Sequence, residues 1–220
     1  MFAGATFLLM VLSLYLVFIY APTEEIMGDV QRIFYFHVPL AWIAFLAFFI
    51  VFLGGIFYLW GKKEKNAQLK WDILSSSSAE VGVIFCTLVL ITGSIWAKAT
   101  WGKWWTWDPR LTTTLVLWLL YIAYLILRFY IPEPTRRARF SSVYGIIAFI
   151  DVPIVWISIR WWRTIHPVVF YPRKMTIEPS MFYTLLVCLG AFTLLYFYLL
   201  KERVKIENMR NKLAKIKEEK

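Results

Sequence analysis

Six long apolar stretches, separated by short polar or charged segments, restrict the fold of this sequence more than any other feature. They cover residues 3–21, 38–60, 79–97, 111–131, 141–159 and 181–200. Each is about 20 residues long, the length at which an α-helix crosses ~30 Å of hydrocarbon. Backbone polar groups in lipid must be hydrogen-bonded within their segment, and the stretches lack the alternating pattern of a barrel. We therefore predict an all-α integral membrane protein with six transmembrane helices.

Charge agrees with this class and predicts an orientation. The chain is 60% hydrophobic and carries a net charge of +10. In a soluble chain that charge would indicate nucleic acid, whereas in a membrane protein it indicates basic cytoplasmic loops. Sixteen of the 24 Lys and Arg residues lie in segments 61–78, 128–140 and 201–220. These segments and both termini are therefore predicted to be cytoplasmic. The bilayer, and no nucleic acid, is the expected partner of this surface.

Two parts are predicted along the chain. Residues 1–200 form a six-helix membrane domain whose outward loop, 98–111, is rich in tryptophan, and residues 201–220 form a charged cytoplasmic tail that continues the sixth helix. The first apolar stretch has no basic segment before it and is long enough to span, so it predicts a membrane helix and not a cleaved signal peptide. An apolar stripe in the tail with 3–4–3 spacing indicates a face for a partner helix. The alternative is a solvated, partly frayed end.

Loop 98–111 is a dense aromatic surface. Five of the twelve tryptophans of the chain fall within twelve residues, and four of them, Trp101, Trp104, Trp105 and Trp107, lie in the loop itself. Interfacial belts explain isolated tryptophans in membrane proteins, but four rings in seven residues exceed what anchoring requires. Aromatic stacking contributes ~0.5–1.5 kcal/mol for each pair beyond area burial. The loop therefore predicts a binding surface for a large, flat, apolar ligand that carries charges, a description that haem fits.

Asp108 and Arg110 close this loop and have three candidate roles. They could pair with each other, Asp108 could cap the following helix, or both could meet the propionates of haem. The planar fork of an arginine binds two carboxylate oxygens at once, which suits a propionate. Arg32 or Arg163 would assist Arg110 in this role. Capping by Asp108 is compatible with ligand binding.

The only two histidines of the chain, His37 and His166, lie just outside apolar stretches on the predicted outer side. A lone interfacial histidine is usually a polar tip in the headgroup zone. Two that share one side and are flanked by aromatic residues favour axial coordination of haem iron, for which neutral imidazole is a common ligand. Cys86 and Cys188 stand singly, so the chain has no motif for covalent attachment. We predict haem b, bound non-covalently, with His37 and His166 as its metal ligands.

Two acidic residues within the apolar stretches need separate accounts. Asp151 lies midway along the fifth stretch, and a carboxylate at this depth is by default a functional candidate. We favour a structural role, in which Asp151 hydrogen-bonds backbone groups freed by a kink at Pro153. Glu80 lies near the cytoplasmic end of the third stretch and is expected to reach the headgroups.

Four segments together resemble a known family. Segment 101–112, Trp-Gly-Lys-Trp-Trp-Thr-Trp-Asp-Pro-Arg-Leu-Thr, resembles the tryptophan-rich WWD signature of the haem-handling proteins of cytochrome c biogenesis. Segments 32–39, 92–96 and 161–166, with six spans in a short chain, narrow the resemblance to the CcmC family, the haem-handling membrane proteins of the bacterial cytochrome c maturation system. The resemblance covers residues 31–166. Pro109 after Asp108 is a local departure that fixes the exit from the loop.

This resemblance implies a function and partners. Members of the CcmC family are haem-binding proteins of the bacterial inner membrane that present haem on the periplasmic face. They pass haem to a periplasmic haem chaperone, which is CcmE-like, for c-type cytochrome biogenesis. The expected complex is an ABC-type haem exporter with CcmA- and CcmB-like transporter proteins and a small CcmD-like membrane protein. The family's histidines fall on His37 and His166, and its signature falls on the loop tryptophans and Asp108.

Two other functional classes are alternatives for this sequence. The first is a catalyst, either a haem lyase of the cytochrome c synthase type or a b-type redox membrane protein. The larger lyases of this superfamily carry more spans and more histidines than this chain, so we predict that it is not an enzyme. The second class is a channel or transporter, which the scarcity of charge in mid-membrane disfavours.

Overall fold

A computed structural model of the protein describes residues 2–61, 64–162 and 178–218. Its α-helices are α1 (Phe2–Tyr15), α2 (Phe34–Trp60), α3 (Lys65–Trp101), α4 (Pro109–Tyr130), α5 (Pro134–Ala148), α6 (Asp151–Trp161) and α7 (Pro179–Glu218). Within the described ranges, six helical spans are long and apolar enough to cross a membrane, with α5 and α6 together making one of them. The prediction of an all-α fold with six spans is confirmed. The compartment that each end faces, and the division at residue 200, stay predictions.

Residues 16–33, which we call the first connection, join α1 to α2 and are held in place by side-chain hydrogen bonds. α1 continues into a π-helical turn, Leu16–Tyr20, and a 3-10 turn, Asp29–Ile33, leads into α2. The guanidinium of Arg32 donates to the carbonyls of Val17 and Ala21 and lies 2.9 Å from Asp29. Arg32 therefore has a structural role, because its hydrogen bonds hold this connection together.

α2 begins at Phe34, earlier than the apolar stretch indicated. His37 is therefore in its first turn, and Pro39 is already the sixth residue of the helix. Pro39 has no N–H to donate to the carbonyl four residues before it, so it removes one helical hydrogen bond. The apolar stretch 38–60 predicts Pro39 in the first turn of the helix, where a missing N–H costs little, and this prediction is wrong. The helix starts earlier because the 3-10 turn before it feeds directly into helical geometry.

α3 begins at Lys65, fourteen residues before the predicted span. The additional turns include four consecutive buried serines, Ser75 to Ser78, that pack in the bundle. The Ser78 hydroxyl lies 2.8 Å from the Ala47 carbonyl and 2.7 Å from the Tyr196 hydroxyl, which joins α3 to α2 and α7. Hydropathy alone missed this part of the helix because serine lowers the local average although its hydroxyl can bond within the bundle.

Two ion pairs join helices in the half of the bundle away from the tryptophan loop. Arg128 on α4 binds Asp72 on α3 through two nitrogens, at 2.6 and 3.1 Å, and both side chains are mostly buried. Arg203 on α7 binds Glu80 on α3, with Nη2 to Oε1 at 2.8 Å. Glu80 therefore contacts a neighbouring helix, which the sequence did not predict, and its reach to the headgroups stays a prediction. These two pairs fix α3 against both α4 and α7.

The fifth span is interrupted between α5 and α6, where Pro153 was expected to kink it. Pro153 lacks an N–H, and the Phe149 carbonyl instead accepts from the Val152 N–H at 3.0 Å. Asp151 is 8% exposed. Among the described residues it makes no hydrogen bond, and its Oδ2 atom is buried without a partner. The expected backbone bond from Asp151 is therefore not formed, because a rearranged backbone already supplies it.

The orientation can be measured with single cysteines. Lys103, in the tryptophan loop, and Thr135, in the first turn of α5, are both exposed. In a background with Cys86 and Cys188 replaced by alanine, Lys103→Cys should react with a membrane-impermeant maleimide in intact spheroplasts. Thr135→Cys should react only after the membrane is permeabilised. The positive-inside distribution is the physical reason, and the opposite labelling pattern would invert the protein.

Candidate functional site

A cavity opens at the end of the bundle where α2 starts, α3 ends and α4 starts. Its volume is about 280 Å³. Most of its wall is apolar, and among the described residues Arg110 is the one in the wall with a permanent charge. The lining residues are Met27, His37, Ala41, Ala44, Phe45, Cys86, Val89, Leu90, Gly93, Ser94, Trp96, Ala97, Thr100, Trp101, Trp105, Arg110, Leu111, Thr114 and Leu117. The tertiary structure thus brings His37, part of the tryptophan loop and Arg110 to one place.

His37 is held in the cavity wall by α3. Its Nδ1 atom lies 2.9 Å from the Thr92 hydroxyl oxygen, and its ring meets the Trp96 ring edge-on at a centroid distance of 5.8 Å. A Cβ atom on Gly93 would lie 3.1 Å from His37 Cε1. This spacing is close enough that a side chain there would press on the imidazole. One helical turn of α3 therefore sets the position of the His37 ring.

The hydrogen bonds of Thr92 also select the tautomer of His37. The Thr92 hydroxyl lies 2.7 Å from the Leu88 carbonyl, which can only accept. The single hydroxyl proton is therefore directed to that carbonyl, and the Nδ1–H of His37 donates to the oxygen of Thr92. This assignment leaves the lone pair on Nε2. A histidine whose ring is oriented by a hydrogen bond to one nitrogen is the usual arrangement of a metal ligand.

The four loop tryptophans fall into two pairs. Trp101, the last residue of α3, and Trp105 line the cavity. Trp104 and Trp107 are 59% and 76% exposed and are not part of its wall. Trp105 and Trp107 still touch edge-on, with ring centroids 5.9 Å apart. The loop therefore presents one pair of rings to the cavity and a second pair to its surroundings.

Asp108 and Arg110 have different structural roles. Asp108 is the N-cap of α4, and its Oδ1 atom accepts from the Arg110 N–H at 3.0 Å. Pro109 follows at the first helical position, where its missing N–H costs nothing. The guanidinium of Arg110 lines the cavity, and within the part of the chain that the structure describes it makes no hydrogen bond or ion pair. Capping, one of the three roles considered for Asp108, is present in the structure.

The remaining predicted site residues lie elsewhere. His166 and Arg163 are outside the described residues. Arg32 does not line the cavity, and its donors are engaged by the first connection. The expectation that Arg32 could face a propionate was wrong because the backbone carbonyls of Val17 and Ala21 accept its hydrogen bonds.

The chain is similar in sequence to known proteins of a single family. The family model described as CcmC, Heme exporter protein C, matches residues 1–219. A protein of Bradyrhizobium diazoefficiens named Heme exporter protein C is 30% identical over 97% of this chain and 80% of its own length. Proteins of the same name from Haemophilus influenzae and Escherichia coli K12 are 29% and 30% identical, over 96% and 87% of this chain and 84% and 74% of their own lengths.

The chain belongs to the CcmC family. Segment 92–96 contributed to the resemblance, but no structural role was predicted for it. In the structure its residues surround His37. Thr92, Gly93 and Trp96 all contact His37 or set the space around it. Sequence reasoning missed these contacts because the residues lie on a different helix, far from His37 along the chain. One feature of the sequence could have indicated these contacts. Segment 92–96 lies near the end of an apolar stretch, which places its residues at the same level as the start of the helix that carries His37.

Substitution of Asp108 separates capping from any other contribution of the carboxylate. Asp108→Asn retains a side-chain oxygen that can accept from the Arg110 N–H, whereas Asp108→Ala removes it. Loss of an N-cap costs ~0.5–2 kcal/mol. We expect thermal unfolding in detergent to show a lower midpoint for the alanine variant and a nearly unchanged one for the asparagine variant. A loss of equal size in both would mean that the charge matters and not the cap.

Proposed function

We propose that this chain binds haem at the cavity end of the bundle, holds it non-covalently and releases it to an acceptor protein. The observation that supports this proposal best is the position of His37. It lies in an apolar cavity wall with Nδ1 fixed by Thr92, and Trp101, Trp105 and Arg110 stand around the same space. A flat aromatic macrocycle with an iron and two carboxylates matches an imidazole, indole rings and a guanidinium.

Each of these residues would have a separate role in holding haem. His37, through Nε2, would be one axial ligand of the iron, and His166 the other. Arg110 would bind a propionate, because its guanidinium is not engaged by described residues and can form two parallel hydrogen bonds to a carboxylate. Trp101 and Trp105 would pack on the macrocycle. Ligation by two histidines leaves no open position on the iron, which suits a carrier and not an oxygen-activating enzyme.

The size of the cavity bears on release. Ligand sites that enclose a drug-sized molecule usually have ~300–1,000 Å³, and this cavity has about 280 Å³. A macrocycle would therefore enter only in part, and its remaining edge would lie beside the exposed rings of Trp104 and Trp107. Partial enclosure leaves an edge that a second protein can grasp. This arrangement supports transfer better than storage.

The proposed partners and location come from the family. Relatives named Heme exporter protein C give the chain a place in haem handling for cytochrome c biogenesis. We propose that it acts in the bacterial inner membrane, with the haem site on the periplasmic face. The acceptor would be a CcmE-like chaperone, and CcmA-, CcmB- and CcmD-like proteins would complete an ABC-type export complex. Six spans and a basic tail support this placement. We propose no catalytic role.

An optical spectrum of the detergent-purified protein tests the proposal directly. Haem bound through two histidines should give a sharp Soret band and a reduced α-band, and acidified organic solvent should extract the haem. His37→Ala and His166→Ala should each lower haem retention while the protein still inserts. A double variant that retains haem with an unchanged spectrum would rule out these ligands. Haem that resists extraction would favour the lyase alternative.

The role of Thr92 gives a sharper prediction. Thr92→Val keeps the shape of the side chain but removes the oxygen that accepts from His37 Nδ1–H. Loss of such an orienting partner typically weakens metal binding ~10–100-fold, so haem titration should show a weaker site. Thr92→Ser should restore affinity. Ser94→Ala is the matched control, because Ser94 lines the same cavity but its hydroxyl bonds to Leu90 of its own helix.

Substitution of the two pairs of loop tryptophans should cause defects in different assays. Trp101→Ala with Trp105→Ala should lower the amount of haem that copurifies, because these rings line the cavity. Trp104→Ala with Trp107→Ala should mainly lower the haem transferred to the purified chaperone. Trp60→Ala is the control, since this exposed ring lies at the far end of α2. If all three sets behaved alike in both assays, the loop would be an ordinary interfacial belt.

A further inference from the structure

The last helix extends well beyond the bilayer. α7 runs without interruption from Pro179 to Glu218. At 1.5 Å of rise for each residue, the apolar part up to Leu200 is roughly 33 Å long and already fills the hydrocarbon. Lys201, Glu202 and Arg203 follow directly, and the ion pair of Arg203 with Glu80 is the last described salt bridge from α7 to another helix. The following turns project from the bundle.

An exposed apolar face runs along this projecting part. Four residues, which we call the tail stripe, are Ile206, Met209, Leu213 and Ile216. They are 42%, 47%, 60% and 52% exposed. Their 3–4–3 spacing is that of the a and d positions of a coiled-coil seam. A solvated helix would not be expected to repeat large apolar residues at this spacing, so the tail stripe fits the seam of a helix pair.

Basic residues flank the tail stripe along its described length. In the heptad that the stripe defines, the e and g positions between residues 205 and 218 are Lys205, Arg210, Lys212 and Lys217, and the next g position, Glu219, lies outside the described residues. The four are exposed, and Lys205 and Arg210 have only marginal ion pairs within the helix, at 4.0 and 3.7 Å. Residues at e and g face each other across a two-helix seam and decide which partner is accepted.

This charge pattern disfavours a second copy of the chain. In a parallel pair, Lys205 would face Arg210 of the second copy, and Lys212 would face its Lys217. An antiparallel pair would place lysines and arginines opposite one another as well. Like charges across a seam repel and reduce pairing. A helix with acidic residues at e and g would instead form an attractive contact at each position.

The bilayer surface is also a poor occupant. The helix has neither Gly nor Pro after Gly190, so no residue in it favours a bend toward the headgroups. Leu213 lies thirteen residues beyond Leu200, which corresponds to roughly 20 Å along the axis. A continuous helix therefore carries the tail stripe away from the lipid.

We propose that the tail stripe docks an amphipathic helix of another protein, whose apolar seam is flanked by Asp or Glu. The apolar residues supply the contact, and the basic flanks select a partner of opposite charge. This docking surface is separate from the cavity and does not depend on haem binding.

Binding can be measured on the whole chain in lipid nanodiscs. The probe is a fluorescent synthetic peptide with Leu at a and d and Glu at e and g, and its counterpart carries Lys at e and g. We expect the acidic peptide to bind at least about tenfold more tightly by anisotropy and to weaken as salt is raised. Met209→Ser with Leu213→Ser should lower its affinity about tenfold or more. Asn208→Ser with Asn211→Ser, on other faces of the same turns, should leave it unchanged.

Native membranes provide the second measurement. In a background without Cys86 and Cys188, Leu213→Cys should react with a maleimide several-fold more slowly in native membrane vesicles that expose the tail than in nanodiscs. Asn211→Cys should react alike in both. Equal labelling of Leu213→Cys in both, or equal binding of the two peptides, would overturn the proposal. Crosslinking between copies would assign the surface to a second chain, and protection by phosphatidylglycerol vesicles alone would assign it to lipid. Haem retention should be unchanged in every tail variant.

Discussion

The close packing of α2 against α3 is the contact on which the rest of this structure depends. Along the middle of the pair, Gly54 allows the approach, since a Cβ there would lie 2.1 Å from the Ser75 hydroxyl. The Ser78 hydroxyl then reaches the Ala47 carbonyl. At the cavity end, the same approach brings Thr92 to His37. If the helices moved apart by the width of one methyl group, both hydrogen bonds would be lost, and with them the fixed orientation of the imidazole.

This dependence explains why the two ends of the bundle differ in character. One end is open, apolar and aromatic, and Arg110 is the charged residue that the described part of the chain places in the cavity wall. The other half is held by ion pairs from α3 to α4 and α7 and by the hydroxyl of Ser78. Breaking a buried ion pair costs several kcal/mol, so this half is expected to be rigid. A rigid half allows the open end to keep its shape while a ligand enters and leaves.

The tryptophan loop divides into two surfaces that the sequence presents as one. A run of aromatic residues indicates a surface for a flat ligand, but the fold points Trp101 and Trp105 inward and leaves Trp104 and Trp107 exposed. Under the proposed function, the inner rings hold haem and the outer rings serve its transfer. α7, at the other end of the molecule, likewise has one part that packs in the bundle and one part that is exposed. There, a buried segment anchors the helix, and an exposed stripe with basic flanks offers a separate contact.

The sequence by itself determined the class, the number of spans and the family. Long apolar runs have one solution in lipid because backbone groups cannot remain unpaired there, and the tryptophan signature is specific enough to indicate the CcmC family. Helix ends were less predictable. The start of α3 at Lys65 was missed because serine and charged residues lower hydropathy, even where hydroxyls and ion pairs are satisfied by neighbouring helices.

Only the tertiary structure decided which residues line the cavity. His37, Arg110 and the four tryptophans were named from sequence, but their division into cavity wall and exposed surface depends on side-chain direction, which spacing in a loop does not determine. The partner of His37, the engagement of Arg32 by the first connection and the pairing of Glu80 with Arg203 join residues far apart in the chain. Such contacts arise from helix packing, and a single sequence records the residues without recording which helices meet.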